Sequence, residues 1–326
     1  MRLNNLKILV TGGRGYIGSH TVKSLLAAGA NVYIIDNRYV KQNKVDGSIA
    51  YITSYDDFDI LDRLEKIGID GVVHCAGTSL VGPSVNDPGE YYNNNVIKTI
   101  RMLDHLRQWR KIPFIVFSSS AAVYGEPDEI PIRESSITMP VNPYGNTKMM
   151  IERALRDFDV AYGMKHYSFR YFNAAGADVW DHKLGPEPND THIIPRMFEA
   201  YFENKPFKLY GDDYNTKDGT CVRDYIHVCD IALAHLRACV ELSEGSDSKT
   251  YNIGTNQGYS NKEIIDAFRE YVGNLKVEVH SRRPGDPDVL VADATNIQKD
   301  LNWKPNFSDL ETIMKSFKEY YQNENN

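Results

Sequence analysis

Long apolar runs are missing from this chain. No apolar stretch reaches the ~18 residues that a membrane-crossing helix requires, so no membrane span is expected. Paired cysteines are missing as well. Cys75, Cys221, Cys229 and Cys239 include no C-x-x-C, which leaves zinc ribbons and thioredoxin-like redox sites unsupported. Cys75 follows Val72-Val73-His74 and reads as a buried free thiol, and all four cysteines suit a reducing cytoplasm. The nine histidines show no H-x-x-x-H or other ligand spacing, so no metal is expected. Basic runs are also lacking. With 37 Lys and Arg against 44 Asp and Glu, the net charge is −7, which argues against a nucleic-acid groove. Repeats, low-complexity segments and a signal-peptide layout are absent, and a strand begins within the first ten residues, so a cytoplasmic location is expected.

The rest of the composition is that of an ordinary soluble globular chain, 42% hydrophobic and 25% charged. At 326 residues it is long enough for two lobes. Leu6-Lys7-Ile8-Leu9-Val10 has the continuous apolarity of a buried parallel strand. It leads into Gly12-Gly13-Arg14-Gly15-Tyr16-Ile17-Gly18, with glycines spaced G-x-x-G-x-x-G. Such glycines permit a tight turn, close backbone approach to a pyrophosphate and close helix–strand packing. A helix follows, with Ile17, Thr21, Val22, Leu25 and Leu26 on one face and Gly29 as its stop. Its N-terminal end would face phosphates. The next strand, Val32-Tyr33-Ile34-Ile35, ends at Asp36. An acid there accepts hydrogen bonds from ribose hydroxyls and repels a 2′-phosphate, so NAD is expected rather than NADP. Arg38 reads as a solvated loop residue rather than as a 2′-phosphate ligand.

A second pair of segments carries the chemistry. Phe114-Ile115-Val116-Phe117 reads as a buried strand that delivers Ser118-Ser119-Ser120 to a sheet edge. Tyr144 and Lys148 lie four residues apart, so on a helix they share one face. A Lys cation beside a phenol favours phenolate, which lets a Tyr act as a base well below its ordinary pKa of about 10. Ser, Tyr and Lys together form a proton-handling site for an alcohol that becomes a ketone, the partner reaction of hydride transfer.

The wider pattern alternates strands with helices. Gly71–Cys75 is followed by a helix over about 90–109, with Tyr92, Val96, Ile100, Leu103 and Leu106 at helical spacing, then by the strand ending at Ser118. A helix from near Tyr144 through Val160 and a strand at Ser168–Phe172 follow. This rhythm predicts an α/β protein, a Rossmann-type doubly wound parallel sheet. It carries a smaller mixed α/β C-terminal lobe, with strands at Lys208–Tyr210 and Val277–Val279 and helices at about 193–203, 261–272 and 308–321. The expected division is 1–173 for the NAD-binding domain, joined by about 221–245, and 174–326 for the substrate-binding lobe.

The residues also carry a resemblance. Val10–His20, Glu90-Tyr91-Tyr92-Asn93-Asn94-Asn95, Ser118–Gly125, Pro143–Lys148, Arg170-Tyr171-Phe172-Asn173 and Asp218–Val228 are similar to the motifs of the extended short-chain dehydrogenase/reductases, within them the UDP-glucose 4-epimerase branch, over nearly the whole chain. That resemblance implies NAD-dependent inversion at C4 of a UDP-hexose, UDP-galactose to UDP-glucose and back, through a transient 4-keto sugar. It implies Tyr144 as base for the sugar O4 proton, Lys148 as ribose ligand and modulator of Tyr144, and Ser120 as hydrogen-bond partner of O4. For NAD it implies Gly12, Gly15, Tyr16, Ile17, Gly18, Asp36, Asn37, Ala76, Ser79, Asn94, Ser118, Tyr144, Lys148 and Tyr171. For the UDP-sugar it implies Ser120, Tyr144, Asn173, Ile193, Tyr210, Arg223, Arg283, Asp286 and Leu290. A homodimer through the helices near 90–109 and 144–162 is expected on the same ground.

Three departures from the family pattern stand out. The stretch after Asp36 is short and reads Tyr51-Ile52-Thr53-Ser54-Tyr55 where adenine contacts usually lie. A Lys common after the Ala-Gly of the fourth strand is replaced in Ala76-Gly77-Thr78-Ser79, leaving Ser79 to make that contact. Leu290 stands where a bulky Tyr excludes N-acetyl sugars, which opens UDP-GlcNAc/UDP-GalNAc as an alternative, beside UDP-pentoses. A nucleotide-sugar 4,6-dehydratase uses an Asp-Glu pair where this chain has Ala121-Ala122, and methyl groups do no acid–base work. A non-enzymatic NAD-binding regulator would tolerate loss of the triad, yet Ser120, Tyr144 and Lys148 are all present.

Overall fold

In a computed structural model, residues 3–38, 43–187, 191–282 and 286–324 are described. Five strands appear where the sequence pattern sets them, β1 (Lys7–Thr11), β2 (Asn31–Asp36), β4 (Gly71–His74), β5 (Phe114–Ser120) and β6 (His166–Tyr171), and a sixth that the pattern did not single out, β3 (Ile49–Ile52), follows β2 in the chain. With Lys249–Ile253 they form one seven-stranded sheet, ordered β3-β2-β1-β4-β5-β6 and then Lys249–Ile253, every neighbouring pair parallel. The doubly wound expectation holds. Strand order reverses between β1 and β4, which makes the crevice beyond their carboxyl ends the place for a ligand.

Apolar clusters cover both faces. The first helix, Tyr16–Ala27, and helix Val228–Ser243 pack together on one side. Helices Phe58–Ile67, Lys98–Leu106 and Pro143–Tyr162 pack on the other. A third cluster, around Met197, Phe198, Phe268 and Phe317, is the core of the second lobe. There the strands Phe207–Tyr210 and Val277–His280 pair in parallel with each other. The chain crosses between lobes repeatedly. Tyr225–His227 pairs with Asn173–Ala175, Lys249–Ile253 joins the main sheet, and Ala294, Ile297 and Trp303 pack into the first core.

Two expectations need correction. The segment 90–109 is not one regular helix. It runs as Pro88–Tyr91, a π-helical turn Tyr92–Ile97 and then Lys98–Leu106. Wider π turns shift the register, so the buried positions are Tyr91, Asn95, Thr99, Met102, Leu103 and Leu106, while Tyr92, Val96 and Ile100 are only half-buried. Cys75, one residue beyond β4, is half-buried rather than buried, because it lies at the strand end that opens to the crevice.

A buried ion pair fixes the helix that the chemistry needs. Arg170 on β6 forks onto Glu152 of helix Pro143–Tyr162, with Nη2 2.6 Å and Nε 3.0 Å from its carboxylate oxygens. Ser119 of β5 donates to the same carboxylate at 2.5 Å. Replacing one partner of a buried pair strands the other. Glu152→Ala is therefore expected to lower unfolding free energy by about 3–5 kcal/mol in urea titration; a loss under about 1 kcal/mol would mean that the pair does not hold the helix.

Candidate active site

Helix Pro143–Tyr162 begins where its cap dictates. The Asn142 side chain accepts from Gly145 N at 2.8 Å, and Pro143, needing no donor, occupies the first turn. Tyr144, Lys148 and Glu152 then follow at intervals of four along one face. Glu152 holds β5 and β6, so the two residues above it come to rest over the end of β5.

Lys148 is buried, its Nζ donating to the Ser118 carbonyl at 2.8 Å and lying 5.0 Å from the Phe117 ring centroid and 5.7 Å from that of Tyr144. Ser120, the last residue of β5, hydrogen-bonds to the Tyr144 side chain. The three residues chosen from sequence thus meet. The electrostatics differ from expectation. Burial pushes Tyr144 up to about 12, opposed by the Ser120 hydrogen bond and reinforced by nearby Tyr91. Burial also lowers Lys148 to about 8. Desolvation of both groups outweighs the help that sequence spacing alone assigned to the Lys charge.

The dinucleotide end is built from close backbone packing. A Cβ at Gly18 would sit 2.1 Å from Gly12 O, and one at Gly12, where φ is +68°, would sit 2.8 Å from Ala76 N. Only glycine permits this stacking of the loop on the first helix and on the end of β4. Gly15 precedes that helix, and Tyr16 donates to Gly176 O, with Ile17 half-buried beside it. Asp36 is buried and accepts from Arg14 N and Arg38 N, each at 3.0 Å. Asn37 is exposed next to it. The Arg38 guanidinium, the sequence's one hint of NADP, forks onto Glu187, with Nη2 3.0 Å from Oε1. Reciprocal bonds between Asn43 and Gly185, both 3.1 Å, join the same two segments beneath it. Arg38 is thus still partly solvated, as expected, but is also engaged across the lobes. The glycine cradle, the buried acid and an arginine already spoken for fit NAD.

At the sheet centre, Ser118 Oγ lies 3.0 Å from the Tyr171 hydroxyl. Ser79 is exposed, while Asn94 Nδ2 donates to Thr78 Oγ1 at 2.9 Å. Sequence reasoning missed Asn95. It is buried, accepts from Thr78 N at 2.7 Å and donates to Thr147 Oγ1 at 3.1 Å, tying the loop after β4 to helix Pro143–Tyr162. Its place beside Asn94 in the Asn-Asn-Asn run was visible, but its inward direction depends on the π turn.

The substrate-side residues form two groups. Asn173 and Ile193 line one small cleft with His192, Tyr225 and Phe317. Arg223, buried, donates to Asp286 and to Pro287 O, and Leu290 lies beside it in the strand register. Asp286 also accepts from Tyr214, which lies under the Arg282 guanidinium at 5.4 Å; neither Tyr214 nor Arg282 was singled out from sequence. Tyr210 ends its strand with its ring 5.6 Å from that of His280. Arg283 lies outside the described residues. Leu290 is half-buried and packs in part against the first core. Among the described residues no helix is long and apolar enough to cross a membrane.

A parallel doubly wound sheet with a glycine cradle, an acid at the end of β2 and a Ser/Tyr/Lys group over β5 defines a nicotinamide-dependent enzyme of the short-chain dehydrogenase/reductase type. The chain belongs to the NAD dependent epimerase/dehydratase family, whose model matches residues 8–254. It is 43% identical to the UDP-glucose 4-epimerase of Halalkalibacterium halodurans, over 95% of this chain and 93% of that one. It superposes with a TM-score of 0.91 on the UDP-glucose 4-epimerase of Brucella ovis in complex with NAD, at 40% identity, covering 95% and 97% of the two chains. With the Bifidobacterium longum enzyme in complex with NAD+ and UDP the TM-score is 0.89, at 35% identity over 98% and 99%.

Glu187→Gln removes the carboxylate charge that occupies Arg38. NADPH affinity in a fluorescence titration is expected to rise several-fold relative to NADH, since a released guanidinium can pair with a 2′-phosphate. An unchanged ratio would show that Asp36 alone sets the preference.

Proposed function

We propose that the protein interconverts UDP-galactose and UDP-glucose by inverting C4, with NAD retained as cofactor. The observation that carries this reading is the meeting of Ser120, Tyr144 and Lys148 beside the dinucleotide cradle, with Ala121 and Ala122 where a dehydratase would need acids. The names of the relatives agree with it. The N-acetylated and pentose sugars are not carried forward, since the curated relatives are named UDP-glucose 4-epimerase.

When bound, NAD supplies an acceptor that takes the C4 hydrogen as hydride and gives it back. Gly12, Gly15, Tyr16, Ile17 and Gly18 would hold its pyrophosphate, Asp36 and Asn37 its adenosine ribose, and Ala76, Ser79, Asn94, Ser118, Lys148 and Tyr171 the nicotinamide end. Tyr144 takes the O4 proton through or beside Ser120, and a 4-keto sugar forms. The Tyr144 hydroxyl later returns that proton to the oxygen of the inverted centre, so net redox and net proton change are both zero. Arg223, Arg283 and Tyr210 would bind the UDP portion, with Asp286 on its ribose and Asn173, Ile193 and Leu290 around it. Binding energy remote from C4 then anchors the substrate while the sugar turns. The C-terminal lobe, 174–326 apart from the returning segment, caps the substrate. A cytoplasmic homodimer through the helices near 90–109 and 144–162 belongs to the same reading, and exposed Ile97, Met150 and Val160 lie on those segments.

The test is an NMR time course of purified protein with UDP-galactose and no added NAD. UDP-glucose is expected without a stoichiometric oxidant; no inversion with or without NAD would overturn the reading. Tyr144→Phe is expected to lower kcat by about 10²–10⁴-fold.

The pH profile follows from two groups. Tyr144 works as base only when ionised, so the rate rises with pH. Lys148, lowered to about 8, loses above that pH the charge that stabilises the phenolate. With Tyr144 pushed up to about 12, the phenolate gained above pH 8 offsets the ammonium lost, so the rate is expected to rise to about pH 8 and level off above it, and Lys148→Met should remove that break along with most of the rate. Stability depends on the same group. Lys148 binds its proton less tightly folded than unfolded, so its contribution improves as pH rises from about 8 toward its ordinary value near 10.5.

A further inference from the structure

A row of buried hydrogen bonds runs from the first helix to the end of β5. Thr21 Oγ1 lies 2.8 Å from His235 Nδ1, His235 Nε2 lies 2.5 Å from the Tyr171 hydroxyl, and that hydroxyl lies 3.0 Å from Ser118 Oγ. Ser118 Oγ is in turn 3.2 Å from Cys75 Sγ. Thr21 sits one turn beyond Ile17, whose carbonyl is 3.0 Å from Thr21 Oγ1. The Ser118 carbonyl holds Lys148. The row therefore joins the pyrophosphate end of the cleft to its nicotinamide end.

His235 is fully buried on helix Val228–Ser243, and burial lowers it to about 3, so its ring is neutral. A neutral imidazole has one N–H and one lone pair. Placed between two hydroxyls, it donates to one and accepts from the other. Each hydroxyl in the row has a single proton, so the donor sense chosen at the ring propagates to Tyr171 and from there to Ser118. No step of the mechanism above uses His235.

We propose that His235 is a positioning residue, which fixes the hydroxyl directions of Tyr171 and Ser118 and thereby holds the nicotinamide end of the bound cofactor in register with Tyr144. The inference rests on the NAD-dependent reading of the cleft, and its first readout needs no sugar. His235→Phe keeps a ring against Phe169, whose centroid is 5.5 Å from that of His235, and removes both nitrogens. NADH titration of the purified, refilled protein is expected to show binding weakened at least 10-fold, with an unchanged fold by circular dichroism. In the epimerase assay kcat should fall at least 10-fold while KM for UDP-galactose stays within about twofold. Ser118→Ala combined with His235→Phe should be no worse than the worse single variant, because both interrupt one row. His235→Asn, which restores a donor and an acceptor, should recover part of the loss. Thr21→Val, at the far end, provides the same test with a smaller change should His235→Phe not fold, and is expected to weaken NADH binding in the same direction. Wild-type NADH affinity in folded His235→Phe or in Thr21→Val, or fully multiplicative losses for Ser118 and His235, would overturn the proposal. A wild type that binds NADH tightly yet inverts no UDP-galactose would defeat the epimerase reading while leaving the titrations to decide on His235.

Discussion

The Glu152–Arg170 pair is the constraint on which the active site depends. Two charges buried together are tolerated only when geometry and further hydrogen bonds compensate their desolvation, and here Ser119 and the Tyr124 hydroxyl, 2.8 Å from Arg170 Nη1, complete the shell. A carboxylate that must meet a β6 guanidinium and a β5 hydroxyl at once can sit at only one height and rotation. Helix Pro143–Tyr162 inherits both. Lys148 and Tyr144 are one and two turns above Glu152, so the same pair that closes the sheet also sets their distance from Ser118 and Ser120. A helix held by apolar contacts alone could slide by fractions of a turn, which would move the phenol without breaking any single contact.

At the other end of the cleft the constraint is steric. Gly18 leaves no room for a Cβ because the first helix is stacked directly on the loop that leaves β1, and Gly12 leaves none because that loop lies against the backbone that follows β4. The segment after Asp36 is short, and the second lobe reaches it: Glu187 pairs with Arg38 and Gly185 with Asn43, so contacts at this end join segments more than a hundred residues apart. An exposed ion pair of this kind contributes modestly and is screened by salt, whereas the buried Asn43 amide pair is not. The contact between the two lobes at this end thus combines one adjustable pair with one fixed one.

What was legible in the sequence shares a property: it is local. The G-x-x-G-x-x-G spacing, Asp36 at a strand end, and Tyr144 four residues before Lys148 are set by backbone periods that a sequence displays. What was not legible depends on distant packing. Asn95 points inward because a π turn shifts the register of residues 92–97, which the heptad-like apolar pattern of that segment does not reveal. Arg223 pairs with Asp286 and Tyr171 with His235 across separations of more than sixty residues. The upward shift of Tyr144 by burial is hidden from spacing for the same reason. Spacing shows that a cation is near, but only the packed site shows how much water both groups have lost.

That shift bears on how the proposed reaction runs in both directions. A phenol held far below its usual pKa would be a ready base and a poor acid, and a site that must remove a proton from O4 and return it to the inverted centre needs both functions from one group. Burial keeps the Tyr144 proton tightly held when no charge opposes it, while Ser120 and the Lys148 ammonium offer stabilisation that counts only as phenolate develops. The stabilising groups are therefore placed for a charge that is transient. Their fixed positions, enforced from below by Glu152, mean that little reorganisation is needed when the charge appears, and in a site shielded from water such prearranged groups act more strongly than they would in solution. The desolvation that raises the phenol and lowers the lysine is in this sense the same feature that makes their interaction effective once a proton has moved.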